Sequence, residues 1–214
     1  MAGAQMEKLR GAINDAQDRI SRRGAELLDK AVKDPRFRDK ILEHDFDGKT
    51  HFRAKGGKST TKSNAEVYEI ISKGRERDTE DDDMIDLQVV LSPLNKGTVG
   101  STVLGNKWFK TAYWFIDRCA AKNDPISVAR HFMHEWLHVA GFYHYGGNSA
   151  RGDVPYAVGT IVRDLLKDRG NGFLQGDEAE DSAIDYMLEE ADHLVEINAA
   201  SELDVADERD LVEA

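Results

Sequence analysis

The segment from Asn123 to His144, NDPISVARHFMHEWLHVAGFYH, constrains this chain more than any other. Its two ends carry helix signals. The Asp124 side chain can accept a hydrogen bond from a backbone N–H of the first turn, and Pro125 suits the first helical position, where a missing N–H costs nothing. Gly141 suits the left-handed residue that closes a helix and turns the chain. A helix is therefore expected from 125 to about Gly141. Phe132, Met133, Trp136, Leu137 and Ala140 are its core candidates. His134 and His138 are four apart, so their side chains share one face. They can offer two imidazole nitrogens to one cation, at roughly 2.0–2.1 Å if it is zinc. Glu135 sits about 100° further round the axis, beside a metal-bound water rather than on the metal. The turn at Gly141 can bring His144 back as a third ligand. Three protein ligands leave one coordination position open, as a catalytic zinc site requires.

A chain of this His and Glu content would contain HExxH by chance in roughly one case in sixty, and the version extended by Gly141 and His144 in about one in twenty thousand. The extended segment resembles HExxHxxGxxH, the zinc signature of the metzincin peptidases. The resemblance is specific from His134 to His144 and plausibly extends over residues 84–168. It implies an α+β fold, an α/β arrangement of zincin type, in which a small, mostly parallel mixed sheet packs on the active-site helix. Here that core would carry N-terminal and C-terminal helical extensions. It also implies Zn2+ as cofactor, with His134, His138 and His144 as ligands and Glu135 as general base. The reaction implied is peptide hydrolysis: zinc lowers the pKa of its bound water to roughly 7, and Glu135 takes the proton and later passes it to the leaving amine. Metzincins place a methionine in a turn after the third histidine, whereas this chain has none between His144 and Asp177. Val154 would stand in its place. Tyr156, two residues on, is similar to a tyrosine that some members hold near the metal. It can hydrogen-bond an oxyanion or act as a displaceable ligand, or it can simply pack under the site.

Other parts of the chain are less specific. Residues 5–33 read as one helix, with Leu9, Ile13, Ala16, Ile20, Leu27, Leu28 and Val32 near helical spacing and Gly24 weakening its middle. Asp34-Pro35 ends it, and a shorter helical piece follows with Phe37, Ile41 and Leu42. Residues 47–63 are rich in Gly, Lys, Ser and Thr and read as a linker. The expected division is thus 1–63 as a helical extension, 64–176 as the catalytic domain and 177–214 as an acidic helix and tail. Residues 64–74 suit a helix capped by Asn64, and 80–83 a solvated acidic loop. Met84 to Leu91 alternates as a strand does, and the aromatic run 108–116 suits a second strand. Gly97 to Gly105 is either a loop or an edge strand on which an extended peptide could pair. Another helix is expected from Ala157 to Lys167.

Several residues carry a plainer reading. His131 suits the surface or packing better than a place behind the ligands, and His44, His51 and His193 suit solvent. Cys119 follows a strand and suits a buried or half-buried thiol. Glu189 or Glu190 as an alternative third ligand is weaker than His144.

Charge narrows the partners. Of the formal net charge of −11, residues 177–214 hold −14, from fifteen Asp/Glu and one Arg. No basic footprint for nucleic acid results, because the fifteen Lys/Arg between Glu7 and Lys62 stand beside ten Asp/Glu. A lone cysteine excludes an internal disulfide. The N-terminus lacks a signal-peptide apolar run, and no segment has the roughly 20 apolar residues of a membrane span. Expected locations are the cytoplasm, a larger particle, or export without a cleaved signal. Two functional classes remain: a zinc endopeptidase acting on protein or peptide, in its own or a target cell, and a structural component of a larger assembly, such as a virus particle, that keeps a zinc-binding fold. The terminal helices would serve assembly partners or cover the cleft in a latent form. A carboxylate at 135 favours catalysis, since a purely structural zinc site has no use for it.

Overall fold

Ile85, Leu87, Val89 and Leu91 are buried while their sequence neighbours are half-exposed, and the strand they form lies inside the sheet. The computed structural model describes residues 3–54, 57–76, 81–103, 106–144 and 152–169. In chain order the elements are β1 (Gly3–Arg10), α1 (Asp15–Val32), α2 (Pro35–Glu43), β2 (His51–Arg53), β3 (Ser59–Thr61), α3 (Asn64–Ser72), β4 (Met84–Ser92), β5 (Gly100–Ser101), β6 (Phe109–Ala112), α4 (Tyr113–Lys122), α5 (Pro125–Ala140) and α6 (Val154–Arg169). The fold is mixed α+β, with one small mixed sheet in the order β1-β4-β6-β5 and six helices among the described residues. Strands β1, β4 and β6 are parallel, and β5 is the antiparallel edge. No helix among the described residues is long and apolar enough to cross a membrane.

Helix α5 is the centre of the molecule. Every one of its residues except Ser127 is buried. A helix covered on all sides needs neighbours all round, and these are the sheet, α1 and α6. Gly24 lets α1 approach: a Cβ there would lie 2.4 Å from Val128 Cγ1 on α5. The expected weak point of α1 is therefore a place of close approach between two helices. Trp136 is fully buried, and its Nε1–H donates to Glu76 Oε1 at 2.7 Å. Glu76 is itself 4% exposed and accepts the backbone N–H of Asp86 at 3.1 Å, which ties α5 to β4. Trp136→Phe deletes one donor to a buried carboxylate and leaves a void, so urea unfolding should show a loss of about 2–4 kcal/mol.

Several expectations need correction. Residues 5–10, expected as the start of a helix, belong to strand β1. A bulge between Met6 and Lys8 spaces the inward residues Ala4, Met6 and Leu9 by two and then three, which imitates a helical period. Helix α1 begins only after Asn14, whose side chain accepts from the N–H groups of Ala16 and Gln17. The run 108–116 is a strand only to Ala112. Tyr113 to Ile116 open α4, which buries Phe115, Ile116 and Cys119 on one face. Cys119 is thus a buried helical thiol, and burial pushes its pKa up. Helix α3 is capped by Ser63, not Asn64. The Asn64 amide instead donates to the carbonyls of Ile41, Leu42 and His44 at 3.1, 3.1 and 2.7 Å, and so caps the end of α2.

The division expected at residue 63 does not separate two cores. β1 pairs with β4 along its length, and α1 packs on α5, so the apolar face of α1 is covered within the fold. The expected linker contains the β2–β3 hairpin. His44 and His51 are half-buried against Phe46 and Tyr143 rather than solvated. The acidic helix expected after residue 177, with Glu189, Glu190 and His193, lies outside the described residues.

Candidate metal centre

The helix that carries the first two histidines starts and stops where its signals stand. Asp124 Oδ1 accepts the N–H of Ser127 at 3.0 Å, and Gly141 ends α5 with φ 117°. The glycine is required twice over. A side chain rarely adopts that φ, and a Cβ at 141 would lie 2.8 Å from the carbonyl oxygen of Arg53. Strand β2 reaches this point because it grips the chain leaving the helix. Arg53 N–H donates to Gly141 O at 2.9 Å, Tyr143 N–H donates to His51 O at 3.2 Å, and Phe142 stacks edge-on to Phe52. This short pairing holds residues 141–143 and sets the direction in which His144 returns.

His134, His138 and His144 converge. One ring nitrogen from each lies within 4.8 Å of the others. His134 Nε2 and His138 Nε2 are 3.2 Å apart, close to the ~3.3 Å edge of a tetrahedron of nitrogens at about 2.0–2.1 Å from a metal ion. Each imidazole is also oriented by a second contact. His138 Nδ1–H donates to the carbonyl of Phe142 at 2.9 Å, which assigns the lone pair to Nε2. A ring N–H of His134 is held by the carbonyl of Pro155. His144 Nδ1 is hydrogen-bonded to the Asp153 carboxylate. Ring nitrogens fixed in this way are the usual setting of histidines that bind metal. Burial first, and then the neighbouring His138, His144 and Arg130, push the pKa of His134 well below the usual histidine value. The neutral imidazole is the form that ligates a cation. Donor type and spacing therefore both fit a metal ion, and three imidazoles suit zinc, copper, iron or nickel.

No family model matches this chain, and no curated protein or solved structure matches it either. What the centre can do has to be read from its own side chains.

Glu135 is 1% exposed and faces the sheet edge. Its Oε2 accepts the hydroxyl of Thr102 at 2.6 Å. Its Oε1 lies 3.9 Å from Nδ1 of His131. A Cβ at Gly100 would come within 2.2 Å of Glu135 Oε1, so the edge strand passes directly over the carboxylate. Part of the Gly97–Gly105 segment is thus strand β5 rather than plain loop. His131, expected at the surface or in packing, is a packing residue: it is 2% exposed, touches Phe109 and Phe115, and is 3.0 Å from the hydroxyl of Thr111.

Tyr156 lies at the start of α6, its ring centroid 4.5 Å from that of His134 and 4.8 Å from that of His144. Val154, expected where metzincins hold a methionine, is fully buried as the first residue of the same helix. Sequence reasoning missed Asp153, Thr102 and the β2 hairpin. A signal existed only for Asp153, because an aspartate just before Val-Pro is a helix-cap pattern.

Proposed function

We propose that this protein is a zinc-dependent endopeptidase of zincin type that hydrolyses peptide bonds with Glu135 as the base. The observation that carries the proposal is the convergence of three oriented imidazoles on one point, with a buried carboxylate at the adjacent helical position. The mixed sheet beside α5, with its antiparallel edge strand next to Glu135, supports the zincin-like reading of the fold.

In this reading His134, His138 and His144 hold Zn2+. When bound there, the ion would supply a Lewis acid and lower the pKa of a water to roughly 7. Glu135 takes a proton from the attacking water and delivers it to the departing amine. Thr102 holds the carboxylate by one oxygen, which restricts its rotation. Tyr156 braces His134 and His144 through ring contact. Its second proposed role, a hydroxyl offered to the oxyanion, requires about 2.7–3.1 Å to that oxygen in the substrate complex.

The test is zinc stoichiometry by elemental analysis together with cleavage of a peptide library. One zinc per chain and chelator-sensitive cleavage are expected. Removing the metal should also lower the unfolding midpoint, because a ligand at 1,000 times its dissociation constant stabilises the folded state by about 4 kcal/mol. Chelator-resistant cleavage, or a chain that takes up no zinc, would overturn the proposal. Bound zinc without turnover would favour the scaffold role instead.

A further inference from the structure

Asp153 joins two parts of the molecule through one buried carboxylate. It is 2% exposed. Its Oδ2 accepts the Nδ1–H of His144. Its Oδ1 accepts the backbone N–H of Tyr156 at 3.2 Å, and its own carbonyl accepts the N–H of Ala157 at 2.8 Å. The residue therefore caps α6 and orients the third histidine with the same side chain. Helix α6 in turn supplies the Pro155 carbonyl that holds His134 and the Tyr156 ring that packs on His134 and His144.

We infer that Asp153 is the positioning residue of the metal centre, acting through His144, and that it couples metal affinity to the docking of α6. The inference rests on the metal-site part of the proposed function and not on peptide hydrolysis. Three features of the contact support it. A carboxylate on Nδ1 keeps the proton there and the lone pair on Nε2, so His144 stays in the ligating tautomer. The negative charge makes the imidazole a better donor and offsets part of the charge of a divalent ion in a buried site. His144 is the one ligand not on α5, so its position depends on contacts made after the helix has ended. His134 and His138 are held to carbonyls, which lack that charge, whereas His144 is held to a carboxylate.

The cap and the ligand contact can be separated. Asparagine caps a helix about as well as aspartate, but it carries no charge. The experiment uses the full chain and zinc alone as probe, with competition against a chromophoric chelator for affinity and melting in excess chelator for the metal-free fold. Asp153→Asn is expected to melt like wild type when metal-free and to bind zinc about 10–100-fold more weakly. Asp153→Ala should lose both affinity and metal-free stability. In a His144→Ala background, Asp153→Asn should change zinc affinity no further, because its effect passes through that ring. Wild-type affinity in Asp153→Asn would overturn the inference, as would an equal loss of affinity with and without His144. A wild-type chain that binds no zinc overturns both this inference and the proposed function. Zinc binding that responds to Asp153 in a chain that cleaves no peptide overturns the peptidase reading alone.

Discussion

Glu135→Gln should bind zinc as wild type does and lose peptide cleavage by about 10²–10⁴-fold, the range that general acid–base catalysis contributes. The substitution preserves the shape of a side chain that is 1% exposed and keeps an oxygen able to accept the Thr102 hydroxyl. It removes only the capacity to take up and release a proton. Glu135→Ala should lose activity to the same extent. It should also lose stability, since it leaves a void between α5 and the edge strand and removes the carboxylate that Thr102 donates to at 2.6 Å. Comparing the two variants separates chemistry from packing. Zinc stoichiometry and the metal-free melting midpoint are the controls, and kcat on a cleaved peptide is the readout. Unchanged kcat in Glu135→Gln would remove Glu135 from the mechanism.

A second large effect is expected at a glycine outside the histidine cluster. Gly74→Ala should destabilise the fold by about 3–5 kcal/mol, a size reserved for a few mechanisms such as backbone collision. Gly74 follows α3 with φ 56°, and a Cβ there would lie 1.9 Å from the carbonyl oxygen of Met84 and 2.5 Å from its nitrogen. Those atoms are the backbone of the first residue of β4, so no rotamer change relieves the clash. The turn also anchors its surroundings. Lys73 O accepts the N–H groups of Asp82 and Asp83, and Gly3 N–H at the start of β1 donates to Asp83 O at 2.9 Å. Forcing Gly74 and Met84 apart therefore disturbs the entry of both parallel strands. Gly48 is the control: its φ is 71°, but nothing lies within 4 Å of its Cβ position. Gly48→Ala should cost only about 1–2 kcal/mol, the ordinary penalty for a left-handed alanine. Thermal unfolding measures both, at roughly 2–4 °C per kcal/mol for a chain of this size. Equal effects at the two glycines would show that the backbone angle, not the collision, dominates.

The glycines illustrate how the chain divides into legible and illegible parts. Gly141 is readable because its partners are local: it follows a periodic helix and precedes a histidine by three residues. Gly74, Gly24 and Gly100 are close-approach glycines whose reasons lie on other elements, at Met84, Val128 and Glu135. No local pattern records them. The same contrast holds for the strands. β4 alternates without interruption and is legible as a strand, whereas the bulge in β1 breaks the period and makes a strand look like a helix. The segment 108–116 mixes strand and helix within one aromatic run, so composition alone could not find the change at Ala112.

By itself the sequence determined helix α5, with its Asp124 start, its Gly141 end and two histidines on one face, because all of these are interactions between residues a few positions apart. Only the tertiary structure decided where His144 comes to rest. The β2 hairpin grips residues 141–143, Asp153 turns the imidazole, and Thr102 on the edge segment reaches Glu135. These partners stand up to roughly ninety residues apart along the chain, and pairings of that kind are set by loop closure and packing of the whole core rather than by local spacing.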